Sequence, residues 1–142
     1  MVEPAAYRSL FVLAAAGGGD GEGTLRLNFT DGTDSEPIAF AAPDWCASHS
    51  QPRVTGTPAI SGLARSNGKQ GFKYTDMRAA FGEAGFALYQ TETDLTALGL
   101  HGKPILSISF NKRGSSATAG IFAISGEPSK SSDSPTMELE RR

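Results

Sequence analysis

The chain has 142 residues, of which 39% are hydrophobic and 20% charged, with 17 glycines; this composition excludes a wholly disordered polymer and its length suits one domain. Thirteen Lys and Arg against 15 Asp and Glu leave a net charge of −2, without the basic field of a nucleic-acid binder. The single cysteine, Cys46, excludes an intramolecular disulfide framework and a multi-cysteine metal site.

The longest uninterrupted apolar run, residues 10–16, is far shorter than the ~20 residues of a membrane-spanning helix. Arg8 followed by this run and an Ala-x-Ala step imitates a secretory signal, but Glu3 and Pro4 spoil its positive start. A glycine-rich turn and a second strand follow at once. Residues 7–13 are therefore predicted as a strand, apolar on both faces like a central strand covered from two sides. After the turn at residues 17–23, residues 24–30 alternate cleanly, with Leu25, Leu27 and Phe29 on one face and Arg26 and Asn28 on the other. Asp31-Gly32-Thr33-Asp34 carries the Asp-Gly signature of a tight hairpin. Residues 35–41 return as a third strand, which Pro37 assigns to an edge. These three strands are expected to form a β-meander.

From residue 43 to residue 85 no long period survives. Met77, Ala80 and Phe81 have helical spacing, so residues 76–84 are the one candidate helix, limited by Gly82. Alternation resumes at residues 86–93, 104–111 and 120–126. Beyond Glu127 the sequence turns to Pro, Ser, Lys and Asp and then to charged residues, the composition of a disordered tail. The expectation is an all-β protein, an antiparallel β-sandwich or jelly roll of about six strands with a long irregular middle loop. One domain covers residues 1–126 and a polar tail 127–142. Sandwiches usually have seven or more strands, so six leave an edge that needs covering.

Several stretches are similar to a known kind of module. Residues 7–16 (Tyr-Arg-Ser-Leu-Phe-Val-Leu-Ala-Ala-Ala), 29–33 (Phe-Thr-Asp-Gly-Thr), 43–46 (Pro-Asp-Trp-Cys), 88–92 (Leu-Tyr-Gln-Thr-Glu), 108–111 (Ile-Ser-Phe-Asn) and 120–126 (Gly-Ile-Phe-Ala-Ile-Ser-Gly) resemble galactose-binding-like β-sandwich modules of bacterial exported proteins, of planctomycete type or attached to glycoside hydrolases. The resemblance spans most of residues 7–126 in the expected order and concerns strands and turns. It implies a sandwich fold, an extracellular or cell-surface location and a role in binding. Such modules usually carry further strands ahead of the position of Tyr7, so the sequence is expected to be a fragment or to have a misassigned start.

Candidate site residues are few. Trp45, the only tryptophan, follows Asp44; its ring offers an apolar platform for the C–H face of a sugar. The favoured reading is structural: a core tryptophan plugging one end of the sandwich, with Asp44 capping a turn. Arg65 and Asn67 lie in a polar loop of residues 65–70, able to bond sugar hydroxyls, though a solvated connection explains the same letters. Asp20, Glu22, Asp31 and Asp34 supply oxygens of the kind calcium takes, but no twelve-residue calcium loop is present and hairpin geometry already explains Asp31-Gly32. His49 and His101 lack carboxylates at zinc-ligand spacing. Cys46 reads as a small buried hydrophobe. Asn28-Phe29-Thr30 matches a glycosylation acceptor but sits inside a predicted strand and is discounted. No nucleophile elbow, phosphate loop or His-Glu-x-x-His motif occurs; an acid pair for glycoside hydrolysis is defined by spatial separation, and nothing in the sequence favours one.

The leading functional expectation is a non-catalytic module that binds carbohydrate or another surface ligand through Trp45, Asp44, Arg65 and Asn67, with no cofactor, metal, nucleic acid or membrane span. The competing class is a structural or interaction module, a spacer or assembly unit without a small ligand, self-associating through an uncovered sheet edge near Tyr7. An enzyme ranks third.

Overall fold

The computed structural model describes residues 3–45, 56–63, 65–66, 74–75, 86–114 and 116–129. Among the described residues nine strands follow one another: β1 (Tyr7–Gly17), β2 (Gly21–Phe29), β3 (Ile38–Ala42), β4 (Thr57–Leu63), β5 (Arg65–Ser66), β6 (Tyr74–Thr75), β7 (Phe86–Asp94), β8 (Ile105–Lys112) and β9 (Thr118–Pro128). Seven of them build two sheets, ordered β4-β7-β1-β9 and β3-β2-β8, while β5 and β6 pair as a two-residue ribbon. All strand pairs are antiparallel, and no helix occurs among the described residues. The architecture is an all-β sandwich.

Period-two patterning sets which side chains meet. On β2, Leu25, Leu27 and Phe29 point inward, opposite Phe110, Ile108 and Ile105 of β8. On β1, Leu10, Val12, Ala14 and Ala16 face them from the second sheet, and Phe40, Ala42 and Leu95 complete the core. Leu25, Leu27 and Val12 are fully buried, each contributing about 1.5–3 kcal/mol through apolar burial. Gly23 interrupts the inward row of β2 because Phe40 occupies its space: a Cβ there would sit 2.7 Å from the Phe40 ring and 2.5 Å from the Asn111 carbonyl. That ring meets Phe110 edge to face at 5.4 Å, a favourable aromatic geometry.

The expected meander is not formed. β1 pairs with β7 and β9, whereas β2 pairs with β3 and β8, so the turn after β1 carries the chain from one sheet to the other. Gly18 and Gly19 adopt φ of 82° and 118°, which only glycine reaches without strain. The double apolar face of β1 is satisfied in the middle of the four-stranded sheet, where Ser9 and Ala15 on its outer side are also buried. Tyr7 therefore belongs to a strand paired on both sides, not to an open edge.

The β2–β3 hairpin stands, with Gly32 at φ 80° and β3 at the edge of its sheet. It begins at Ile38 rather than residue 35, because Ser35 replaces ladder geometry with its side chain. Buried Ser35 accepts from the Leu27 N–H through Oγ (3.0 Å) and donates to the Glu36 carbonyl (2.8 Å), and Pro37 has no N–H to add. β4 is an unexpected strand. The candidate helix at residues 76–84 lies outside the described residues. At the C-terminal end β9 continues to Pro128, and the Ser129 N–H donates to the Ala6 carbonyl; residues 130–142 lie outside the described residues.

Candidate functional site

One end of the sandwich is organised by Asp44 and Trp45. Ala16 and Asp44 form a parallel bridge: the Ala16 N–H donates to the Pro43 carbonyl (2.9 Å), the Trp45 N–H to the Ala16 carbonyl (2.8 Å), and the Ala87 N–H to the Trp45 carbonyl (2.9 Å). The segment thus wedges between the end of β1 and the start of β7. Asp44 ties this wedge to the glycine turn, its Oδ2 accepting from the Gly19 N–H (2.7 Å) while its own N–H donates to Oδ1 of Asp20 (2.7 Å). Asp44 thereby holds the turn, as the structural reading expects of it. Trp45, by contrast, is not sealed in the core: 36% of its surface is exposed. A Cβ on Gly17 would lie 3.6 Å from its Nε1, and Cβ atoms on Gly18 and Gly19 would meet nothing within 4 Å. Gly17 is thus the glycine that adjoins the indole nitrogen.

At the other end, the hairpin turn gathers charge without forming a cation site. Asp31 Oδ1 accepts from the Thr33 N–H (2.9 Å) and the Thr33 hydroxyl (2.6 Å), and Lys103 Nζ donates to Asp31 Oδ2 (3.1 Å) and Thr33 Oγ1 (2.9 Å). The Thr33 hydroxyl, then the Thr33 N–H, then Lys103 favour the carboxylate and hold Asp31 down at about 2. Lys103 also stands 5.2 Å from the centre of the Phe29 ring. The lysine and the Asx-type turn account for Asp31 as turn chemistry.

Two hollows flank the three-stranded sheet. A cleft of about 290 Å³ opens between β8 and β9, lined by Tyr7, Leu10, Ile105, Ile108 and Ile124 together with Glu3. A second hollow of about 170 Å³ involves Thr24, Arg26, Pro37, Ser109, Phe110 and Asn111. On the same outer face Asn28 Nδ2 donates to Oγ of Ser107 (2.8 Å) and of Ser109 (3.1 Å), so the amide of the discounted acceptor triplet is engaged in the sheet surface.

Of the sequence-derived binding residues, the structure brings Asp44 and Trp45 together. Arg65 lies in β5 with its backbone opposite Thr75; its side chain and Asn67 lie outside the described residues, as do Cys46 and His49. His101 receives the Ser129 hydroxyl on its main-chain carbonyl. Among the described residues no group of three or more His, Cys, Asp and Glu is placed to hold a metal ion, and no helix is long and apolar enough to cross a membrane. Sequence reasoning missed the exposed apolar side chains of the β8–β9 rim: Leu106, Ile121, Phe122 and Ile124 are 62, 39, 58 and 42% exposed. Their signal was legible as a run without charge or proline at residues 118–126, but it pointed only to a strand. Comparison with family models, curated proteins and solved structures found no match.

Proposed function

We propose that this chain is a non-catalytic β-sandwich module that binds carbohydrate, or another ligand displayed on a surface, at the end of the sandwich marked by Trp45. The observation that carries the proposal is the mounting of the indole. Its main chain is bonded on both sides, to Ala16 and to Ala87, while the residue is 36% exposed and its indole nitrogen lies beside Gly17. A rigid aromatic face that loses little freedom on binding suits stacking against the apolar face of a sugar ring. Asp44 supports this platform by fixing the turn, so its role is to position rather than to touch ligand.

Affinity electrophoresis through gels containing soluble polysaccharides tests the proposal. The wild-type chain is expected to be retarded by at least one polysaccharide, with retardation lost in Trp45→Ala and retained in Trp45→Phe, both variants keeping a β-type circular dichroism spectrum. A folded wild-type chain that no polysaccharide retards overturns the sugar proposal, as does unaltered retardation of Trp45→Ala. The competing reading, an assembly module, is favoured by a different observation: the rim strand β9, uncharged from residue 118 to residue 126.

A further inference from the structure

A sandwich of two open sheets has four edge strands, and unpaired edges invite association unless blunted by proline, charge, shortness or irregularity. Three edges here carry such devices. β3 has five residues and follows Pro37. β4 contains Pro58 and loses register with β7 twice. β8 slips register beside Asn28 and Phe29, and ends at Lys112 followed by Arg113. β9 also ends in Glu127 and Pro128 and shifts register against β1 twice, but its charge and proline are confined to its last two residues. It has 11 residues, and residues 118–126 contain no Asp, Glu, Lys, Arg or Pro. Among the described residues β1 is its sole strand partner, so alternate N–H and C=O groups along its other side face outward.

From this edge we infer that β9 pairs antiparallel with β9 of a second copy of the chain about a two-fold axis, joining two four-stranded sheets into one of eight. Self-pairing suits the strand on three counts. An antiparallel edge is its own hydrogen-bonding complement, and a two-fold interface requires a self-complementary surface. No charge lies along residues 118–126 to face its own copy across the axis, where like charges would repel. The register shift between Leu13 and Ala14 places Ile124 opposite Val12 and Ile121 opposite Ala14. Val12 and Ala14 both point into the core, so the bulge lets Ile121 and Ile124 share the core-facing side despite their spacing of three. Centring the axis between Phe122 and Ala123 sets Ile121 against Ile124 of the second copy, twice. Both side chains now stand at the rim, 39 and 42% exposed, and pairing covers them.

The size of the rim agrees. An 11-residue strand is about 37 Å long, and a rim of two sheets ~10 Å apart with outward side chains is about 20 Å deep. The footprint, roughly 700 Å² per protomer, approaches the ~800 Å² per partner of a stable interface. This inference deepens the assembly reading and is independent of ligand binding at Trp45.

Light scattering coupled to size exclusion, run on the full chain over a hundredfold dilution series, tests it. The wild-type chain and Trp45→Ala are expected to approach twice 14.8 kDa at high concentration and to fall toward the single-chain mass on dilution. Ile121→Lys and Ile124→Lys are expected at the single-chain mass throughout, and Ile60→Lys, on the opposite edge strand β4, at the wild-type mass. A wild-type chain that stays at single-chain mass, or assembly unaltered by either β9 lysine, overturns the inference. Hydrogen exchange of the wild-type chain adds a readout that needs no variant. Amides within residues 118–126 are expected to gain protection with concentration while those of β4 do not; equal protection at every concentration overturns the inference even where a lysine variant fails to fold.

Discussion

β4 and β9 bound the same four-stranded sheet and are made in opposite ways. β4 meets β7 through an interrupted register, with Pro58 opposite Tyr89 and Ile60 opposite Leu88, and its Ile60 is 43% exposed. β9 follows β1 from Tyr7 to Gly17 with two register shifts of its own, and the Tyr7 ring lies over Gly126, where even a Cβ would collide with it. One edge is paired through few registered residues with a proline in its middle; the other is paired along its length and, among the described residues, has no second strand partner. Attachment to the sheet and protection from association are thus separate properties of a strand. The first comes from ladder and ring packing on the inner side, and the second from charge, proline and register on the outer side.

Breaking the anchor has the largest expected effect. Gly126→Val drives a branched side chain into the Tyr7 ring and is expected to cost about 3 kcal/mol, in line with overpacking of a filled site, read as a lowered urea midpoint. Ser35→Ala comes next. It tests the other proline-marked edge by leaving the Leu27 N–H without its Oγ acceptor in a buried setting, at about 1–2 kcal/mol. Pro58→Ala sharpens the contrast from the blunted side. It changes little at a position paired only through an irregular ladder, within ~0.5 kcal/mol, while restoring a main-chain N–H to β4. The smallest effect lies at the hairpin end, away from both edges. Asp31 is held at about 2, below its ordinary 3.8. A depressed carboxyl stabilises the fold fully above its unfolded value and loses that contribution as pH falls from about 4 toward 2. A carboxyl-detected NMR titration is expected to show Asp31 moving up most in Thr33→Val and less in Lys103→Met, following the order of their contributions. An unmoved midpoint in Thr33→Val contradicts the assignment.

Much of the sandwich was legible in the sequence because local alternation decides which residues turn inward. Leu25, Leu27 and Phe29 needed no tertiary information, and the double apolar face of residues 7–13 marked a central strand before its neighbours were known. β4 was illegible for a physical reason. Pro58 and Gly62 break its alternation, and Ile60 is half exposed, so no inward row exists to detect. The sheet crossing at residues 17–20 was illegible as well, since a glycine-rich link permits both a hairpin and a crossing. Asp44 was read both as a ligand-binding residue and as the cap of a turn, and its bonds to Gly19 and Asp20 are those of the cap. The partial exposure of Trp45 depended on which strand its segment entered, and sequence carries no local trace of that. The open rim of β9 is likewise a consequence of strand order, fixed by contacts between residues a hundred positions apart, as between Val12 and Ile124.

The contrast between the two edges is tested most directly by an isotope-filtered NOE experiment on a concentrated mixture of labelled and unlabelled wild-type chains. The account expects intermolecular contacts concentrated in residues 118–126, including Ile121 to Ile124 of the other copy. Intermolecular contacts centred on β4, or none at all, would contradict it.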